Sequence, residues 1–189
     1  PNNTELAGSF VTLAEALKEN GYINAHVGKW HLGEDVQTSP EAQGFDVNIG
    51  GIHAGHPKTY FSPYKNAKLT DGPNGEYLTD RLTDEALQFV EQNKDNPFFL
   101  YFAHYAVHTP IQAKEEITAK YENKEGSHGQ DNPKYAAMVE STDQSLGRVL
   151  QKLRELDLDE NTVVLFFSDN GGHGAVTSQY PLKGSKGML

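Results

Sequence analysis

Three short segments, each an apolar run that ends in a polar tip, contain the side chains of this sequence that are best suited to chemistry. Two of the tips offer cationic or titratable nitrogen atoms and the third offers oxygen atoms. They are Lys29 and His31 in GYINAHVGKWHLG (residues 21–33), His108 in FAHYAVHTP (102–110), and Asp169 with Asn170 in FFSDNGG (166–172). Fixed cations next to imidazoles can bind an anion and move protons on it. We therefore expect the three tips to form one anion-binding site.

The first tip offers two groups to the same ligand. Lys29 and His31 are two residues apart, so in an extended loop their side chains point to the same side, and Trp30 between them packs away. This spacing predicts one permanent positive charge and one titratable imidazole facing a single anion.

The third tip is a candidate metal site. Asp169 and Asn170 offer only oxygen atoms, which hard cations prefer, so the pair favours Ca²⁺ over Zn²⁺. Calcium takes about 6 to 8 oxygen ligands, so others must come from elsewhere in the protein. A plain turn is the alternative interpretation of Asp-Asn-Gly-Gly. Lys183 and Lys186 lie in the Gly-rich tail PLKGSKG, where small residues let the backbone approach an oxyanion closely.

The remaining histidines give weaker signals. We expect His104 to lie in the core or the sheet, and His26 to lie on a strand with its ring near solvent. We expect the loop histidines His53, His56 and His173 not to contact the substrate.

The elements that must position these tips follow from local patterns. A Thr12-x-x-Glu15 capping box followed by Gly21 predicts a short helix, and the other predictions rest on apolar periodicity. They are strands at Ile23–Val27, Pro97–Tyr105 and Thr162–Ser168, helices at Tyr77–Asn93 and Pro133–Leu156, and an irregular excursion over about residues 34–76. This order predicts an α/β fold with a mostly parallel sheet, flanked by helices on both faces. Ligands gather at the carboxyl ends of such strands, where the tips fall.

The composition excludes several classes of protein. A net charge of -10 disfavours a nucleic-acid partner, and no run of residues is apolar enough to span a membrane. The absence of cysteine excludes disulfides and a Cys nucleophile within these residues. No signal peptide opens the chain, which starts at Pro1 without Met, so we expect an upstream portion.

Taken together, these motifs resemble those of a known family, the sulfatases of the alkaline-phosphatase-like superfamily. GYINAHVGKWHLG resembles the second sulfatase signature, and AVHTP, SDNGG and KGSKG match later landmarks of the family in the same order. The resemblance covers nearly the whole chain, from Thr12 to Met188. It implies a periplasmic or secreted sulfuric ester hydrolase.

The resemblance also implies a role for each candidate residue. It implies that Lys29 binds the sulfate and the nucleophile, that His31 contacts the nucleophile, and that His108 and Lys186 bind the sulfate near the leaving oxygen. Asp169 and Asn170 would be calcium ligands. One histidine would protonate the leaving oxygen and the other would remove the proton that expels sulfate; His108 is the better candidate for the first role, although the two could be exchanged.

The chain departs from the family in one large respect. Sulfatases use a formylglycine nucleophile, made from Cys or Ser in a Cys/Ser-x-Pro-x-Arg motif, and this chain contains no such motif. Ser39-Pro40 and Ser62-Pro63 have the wrong spacing. We therefore expect residues 1–189 to be the central part of a sulfatase catalytic domain, incomplete at both ends and without turnover on its own.

Two other functions remain open from the sequence. One is a phosphatase or phosphonate hydrolase of the same superfamily, although Asn170, where the phosphatases tend to have His, favours a sulfate ester. The other is a non-catalytic calcium- or sugar-binding module, consistent with the missing nucleophile motif. The expected substrate is a sulfated carbohydrate, with Tyr60, Phe61 and Tyr64 either stacking on sugar rings or packing against the sheet.

Overall fold

The structure, a computed structural model, describes residues 5–33 and 35–188. Glu34, the first residue of the predicted excursion, lies outside the described residues. The helices are α1 (Leu13–Glu19), α2 (Leu78–Gln92), α3 (Glu115–Thr118) and α4 (Pro133–Glu155), and the strands are β1 (Ile23–Gly28), β2 (Val47–Ile49) and β3 (Phe98–Ala103).

The strands form one parallel sheet in the order β2-β1-β3. Ile23 pairs with Phe98 at the start of β1, and Gly28 pairs with Ala103 at its end. β1 is therefore the central strand of the sheet in the described residues, and β3 pairs only with β1. The predicted strand Pro97–Tyr105 is thus observed as β3, with slightly shorter bounds.

Helices cover both faces of the sheet, as predicted. On one face, Asn24 of β1 donates its amide hydrogens to the carbonyl oxygens of Ala14 in α1 and Gly44, at 2.6 and 2.9 Å. On the other face, Val27 packs in a core with Leu78 and Leu82 of α2. Since α2 also packs against α4, that face is covered by two helical layers.

Local signals set the helix ends close to their predicted positions. The Thr12 hydroxyl accepts a hydrogen bond from Glu15 N at 3.1 Å, and the Glu15 carboxylate accepts one from Thr12 N at 2.7 Å, which is the predicted capping box. The helix α4 begins at Pro133, and the Asn132 side chain accepts from Tyr135 N. Proline at the first helical position lacks the N–H that would otherwise be unsatisfied there.

The excursion is more ordered than predicted. It contributes β2 to the sheet and buries tyrosines in the core, where Tyr60 and Tyr64 are almost fully enclosed. Phe61 is partly buried against the same core. Of the two alternatives that the sequence left open for these side chains, packing against the core is the one seen in the structure, because burial removes their ring areas from water.

The predicted strand Thr162–Ser168 is wrong. This segment pairs with no strand among residues 5–33 and 35–188, and its apolar side chains are exposed, from 45% at Val164 to 86% at Val163. Sequence composition indicated a buried strand, but burial requires a neighbouring strand that the described residues do not supply. Among the described helices, none has both the length and the hydrophobicity needed to cross a membrane.

Candidate active site

The first polar tip is tied to β3 directly after β1 ends. Gly28 has a φ of 107°, and a Cβ at this position would overlap the carbonyl oxygen of Ala103. Only glycine allows this close approach, and it lets Lys29 N donate to Ala103 O at 2.7 Å. Lys29 therefore leaves the sheet at a fixed point, and its side chain is 17% exposed.

An aromatic cluster packs against the first tip and fixes its backbone. Trp30 is buried, as predicted, and its indole N–H donates to Thr38 O at 2.8 Å. His26 packs edge-on against Trp30, with ring centroids 5.2 Å apart, and its Nε2 donates to Lys29 O at 3.0 Å. The prediction that His26 would lie near solvent is wrong, because Trp30 and Phe45 cover it completely. Burial lowers the pKa of His26 to about 4.

His31 lies at the exposed end of the tip in a left-handed conformation, with a φ of 60°. Its backbone N–H donates to Ile52 O at 3.2 Å. Partial burial lowers the pKa of His31, and the nearby positive charge of Lys29 lowers it further. The side chain is therefore a proton acceptor near neutral pH when no anion is bound.

The second tip places His108 through hydrogen bonds to its own backbone. The buried hydroxyl of Tyr60 donates to the carbonyl oxygens of Tyr105 and His108, at 2.8 and 2.9 Å. The imidazole Nδ1 lies 3.0 Å from the carbonyl oxygen of Thr109. Because a carbonyl can only accept, Nδ1 has the proton and Nε2 is left for a ligand. Burial is the main reason that the pKa of His108 is lowered, and Lys186 and Lys29 add to the shift.

The third tip and the Gly-rich tail lie beside the first two tips. The Lys29 ammonium lies 3.5 Å from a carboxylate oxygen of Asp169, and Lys186 N donates to Gly172 O at 3.0 Å. The charge of Lys186 lowers the pKa of both His31 and His108. The structure thus brings the predicted nitrogen-bearing side chains to one edge of the sheet, beside Asp169.

The oxygen donors fit a hard cation in type but not in number. Asp169 is well exposed, with 69% of its side chain accessible, and its neighbour Asn170 is also exposed. In the part of the chain that the structure describes, no group of three or more His, Cys, Asp or Glu side chains could hold a metal ion. The pair therefore suits calcium chemically but supplies only a minority of the ligands that calcium takes.

The two Ser-Pro pairs do not supply a nucleophile. The Ser62 hydroxyl is buried and donates to Gly72 O at 2.8 Å. The Ser39 hydroxyl donates to Val36 O at 3.1 Å, within its own turn. Both hydroxyls serve the local fold of the excursion.

Two histidines of the excursion lie beside the imidazoles of the site, a placement that the sequence did not indicate. The His53 ring lies 5.8 Å from that of His31, and the His56 ring lies 5.8 Å from that of His108, centroid to centroid. They come from a loop without periodicity, so no pattern in the sequence indicated their positions. His104 was predicted correctly as an interior residue, since its Nδ1 is enclosed and burial lowers its pKa to about 4.

Known proteins match this chain in sequence and in fold. Residues 1–188 match the protein family described as Sulfatase. The chain belongs to the sulfatase family. This confirms the resemblance seen in the sequence and the α/β fold class of the alkaline-phosphatase-like superfamily.

Individual sulfatases match at similar levels. The chain is 35% identical over 201 residues to the "Uncharacterized sulfatase YdeN" of Escherichia coli (strain K12), covering 92% of the chain and 35% of that protein. It is 34% identical over 181 residues to the N-acetylgalactosamine-6-sulfatase of Homo sapiens, covering 84% of the chain and 32% of that protein. The chain therefore spans about a third of the length of these curated relatives.

A solved structure extends the match to three dimensions. The crystal structure of Ps i-CgsB in complex with k-i-k-neocarrahexaose aligns with a TM-score of 0.82 at 32% identity. The alignment covers 99% of this chain and 46% of that one. The described fold is thus similar to that of a larger protein, of which it covers less than half.

Proposed function

We propose that the protein containing this chain is a sulfuric ester hydrolase that removes sulfate from a sulfated carbohydrate. The observation that supports it best is the convergence of Lys29, His31 and His108 beside Asp169, with the charge of Lys186 acting on both imidazoles. A tetrahedral anion develops negative charge on its oxygens during transfer, and preorganised cations stabilise that charge.

Each side chain has a proposed task at a stated atom. The ammonium groups of Lys29 and Lys186 would bind sulfate oxygens. Nε2 of His108 would protonate the leaving oxygen, and His31 would accept a proton on the side of the nucleophile. The bound ester offsets the charge of the two lysines, so binding raises the pKa of both imidazoles and favours the acid form of His108.

Two groups that the family implies would complete the site. A formylglycine from outside these residues would supply the nucleophile. Asp169 and Asn170 would contribute ligands to a calcium ion, which would supply positive charge to the sulfate oxygens. We propose that residues 1–189 form part of the catalytic domain, with the excursion of residues 34–76 as its insertion, in a periplasmic or secreted protein.

The names of the relatives support a carbohydrate substrate. Ps i-CgsB was crystallised in complex with k-i-k-neocarrahexaose, and the human relative is named N-acetylgalactosamine-6-sulfatase. Both proteins are more than 30% identical to the chain where they align. The class of substrate is therefore proposed, while the sugar and the sulfated position are left to experiment.

The deciding experiment compares 4-methylumbelliferyl sulfate with 4-methylumbelliferyl phosphate as substrates of the complete protein. We expect turnover of the sulfate ester, its loss on dialysis against EDTA, and its recovery with Ca²⁺. A clear preference for phosphate would indicate a phosphatase, and binding of calcium or sugar without turnover of either ester would indicate a non-catalytic module.

A charge-matched pair of variants tests the site itself. Lys29→Met should reduce kcat/KM for the sulfate ester by about 100-fold or more, since it removes a cation that contacts the developing charge. Lys94→Met removes an exposed lysine that pairs with Glu91 at the end of α2 and should leave kcat/KM unchanged. Equal activity of the two variants would contradict the proposed site.

A further inference from the structure

One segment of the excursion contacts both histidines of the proposed site. This segment, residues 52–56 (Ile-His-Ala-Gly-His), accepts the backbone N–H of His31 at Ile52 O. Its His53 ring meets the His31 ring at 65°, and its His56 ring lies nearly parallel to the His108 ring, at 18°. A single short loop thus spans from one imidazole to the other.

The segment starts from a firmly held backbone position. Gly50 O accepts hydrogen bonds from the Tyr105 hydroxyl at 2.7 Å and from the Asn66 amide at 3.0 Å. Gly50 N donates to Lys68 O, and Gly51 N donates to the Asn48 side chain. The loop therefore leaves the core at a defined point. A loop that positions the imidazoles of the site needs such a fixed start.

Gly55 lies against the face of the His31 ring. A Cβ added at Gly55 would lie 2.5 Å from Nδ1 and 2.6 Å from Cε1 of His31. Such distances do not occur between real atoms without movement of one partner. Because the overlapping atoms belong to an exposed side chain, a larger residue at position 55 would push the His31 ring away.

The two histidines of the segment contribute little that the fold needs. Nδ1 of His53 is enclosed and finds no hydrogen-bond partner among residues 5–33 and 35–188, a state that costs about 1 to 3 kcal/mol in a folded protein. His56 is exposed, and its Nδ1 donates to the adjacent Pro57 O at 3.1 Å, which fixes its ring. Both rings lie where they restrict the imidazoles of the site.

We propose that residues 52–56 are a positioning segment that sets the placement of the His31 and His108 imidazoles relative to the bound ester. This inference rests on the proposed sulfatase function, because it assigns the two histidines to proton transfer. The contacts that carry the inference are to His31 and His108, whereas sulfate binding is assigned to Lys29 and Lys186.

The principal test is Gly55→Ala in the complete protein, with 4-methylumbelliferyl sulfate as substrate. Displacement of a catalytic group by about 1 Å can reduce rate about 100-fold, so we expect kcat to fall at least about tenfold. We expect KM, and the inhibition constant of inorganic sulfate, to stay within about twofold, because the lysines are not moved. A kcat equal to wild type would overturn the proposal.

The matched glycine control is Gly147→Ala, in the middle of α4. A Cβ at Gly147 meets no atom within 4 Å, so this variant should keep wild-type kcat and KM. If Gly55→Ala raises KM and the sulfate inhibition constant as strongly as it lowers kcat, the segment shapes anion binding and the proposal is wrong.

A second pair of variants works even if Gly55→Ala does not fold. His56→Phe keeps an aromatic ring against His108, whereas His56→Ala removes it. Positioning by contact predicts that kcat stays within about threefold for His56→Phe and falls about tenfold for His56→Ala. Equal losses in both would overturn the proposal, since they would assign chemistry to the His56 nitrogen.

The wild-type protein separates this inference from the proposed function. If it hydrolyses only the phosphate ester, the sulfatase assignment fails, and the same four variants measured on that ester decide the inference. If it hydrolyses neither ester, both proposals fail.

Discussion

At the level of single residues, His31 combines an unusual backbone conformation with a proposed chemical role, and the two can be separated. Its φ of 60° lies in the left-handed region, which costs most residues about 1 to 3 kcal/mol. Asparagine tolerates this region better than alanine does. The residue type that replaces His31 therefore decides whether backbone strain accompanies the loss of the imidazole.

We expect His31→Asn and His31→Ala each to reduce kcat of the complete protein on a sulfate ester by about 100-fold, the usual contribution of a proton-transfer group. We expect the free energy of unfolding of His31→Ala to be about 1 kcal/mol lower than that of His31→Asn, because alanine is strained at this φ. Steady-state kinetics and urea unfolding measure the two effects. More than a tenth of wild-type kcat in either variant would contradict the role of His31.

The position of a side chain could be predicted from the sequence where it follows a strand end. Lys29 comes directly after β1, and His108 lies in the loop after β3, which ends at Ala103; the parallel pairing of the two strands brings their carboxyl ends together. His53 and His56 come from an irregular loop, so only the folded chain reveals their positions. The prediction for His26 failed because the rings that cover it, Trp30 and Phe45, come from outside its own strand.

At the level of elements, β1 carries a pH-sensitive group into the core. His26 is fully buried, and its pKa falls from an ordinary value of 6.5 to about 4. Between these values the unfolded chain binds a proton that the folded chain does not bind. The free energy of unfolding therefore rises with pH in this interval. The contribution of the neutral His26 to stability is lost as pH falls from 6.5 towards 4.

The expected loss from His26 alone is about 2 kcal/mol between pH 7.5 and pH 5.0, at about 1.4 kcal/mol for each unit of pKa difference. Urea unfolding of the complete protein at the two pH values measures it. His26→Phe should lose about 2 kcal/mol less over this interval than wild type. An unchanged slope in His26→Phe would argue against the buried neutral imidazole.

Elements with local signals were predictable, and elements that depend on distant pairing were not. Helices α1 and α4 begin where a Thr or Asn side chain caps them, and these signals lie within four residues of each other. The short strand β2 has only three residues, within a Gly- and Asn-rich stretch, and exists because it pairs with β1. Residues 162–168 have the composition of a strand but find no partner in the described chain.

At the level of the whole molecule, the described residues present an apolar surface that is unusual for a protein of net charge -10. Consecutive side chains from Val163 to Phe167 are exposed, and the segment pairs with no strand of the described residues. Unpaired extended segments with exposed apolar side chains readily pair with other chains.

We expect residues 1–189, produced alone, to self-associate and to show no turnover of 4-methylumbelliferyl sulfate, since they contain no Cys/Ser-x-Pro-x-Arg motif. Light scattering and gel filtration measure the association. The double variant Leu165→Lys and Phe167→Lys places two charges on one side of the segment and should shift the population towards monomer. A wild-type sample that is monomeric at 100 μM (roughly 2 mg/ml) would contradict the expectation that this surface causes self-association.

The close approach of Gly28 to the Ala103 carbonyl has a genetic consequence. Every missense codon at position 28 introduces a Cβ into space that the neighbouring strand already occupies. In a saturation mutagenesis screen, this position should tolerate substitutions as poorly as Lys29 does, although it has no side chain to take part in a reaction. Intolerance at adjacent codons would then report two unrelated causes, one steric and one electrostatic.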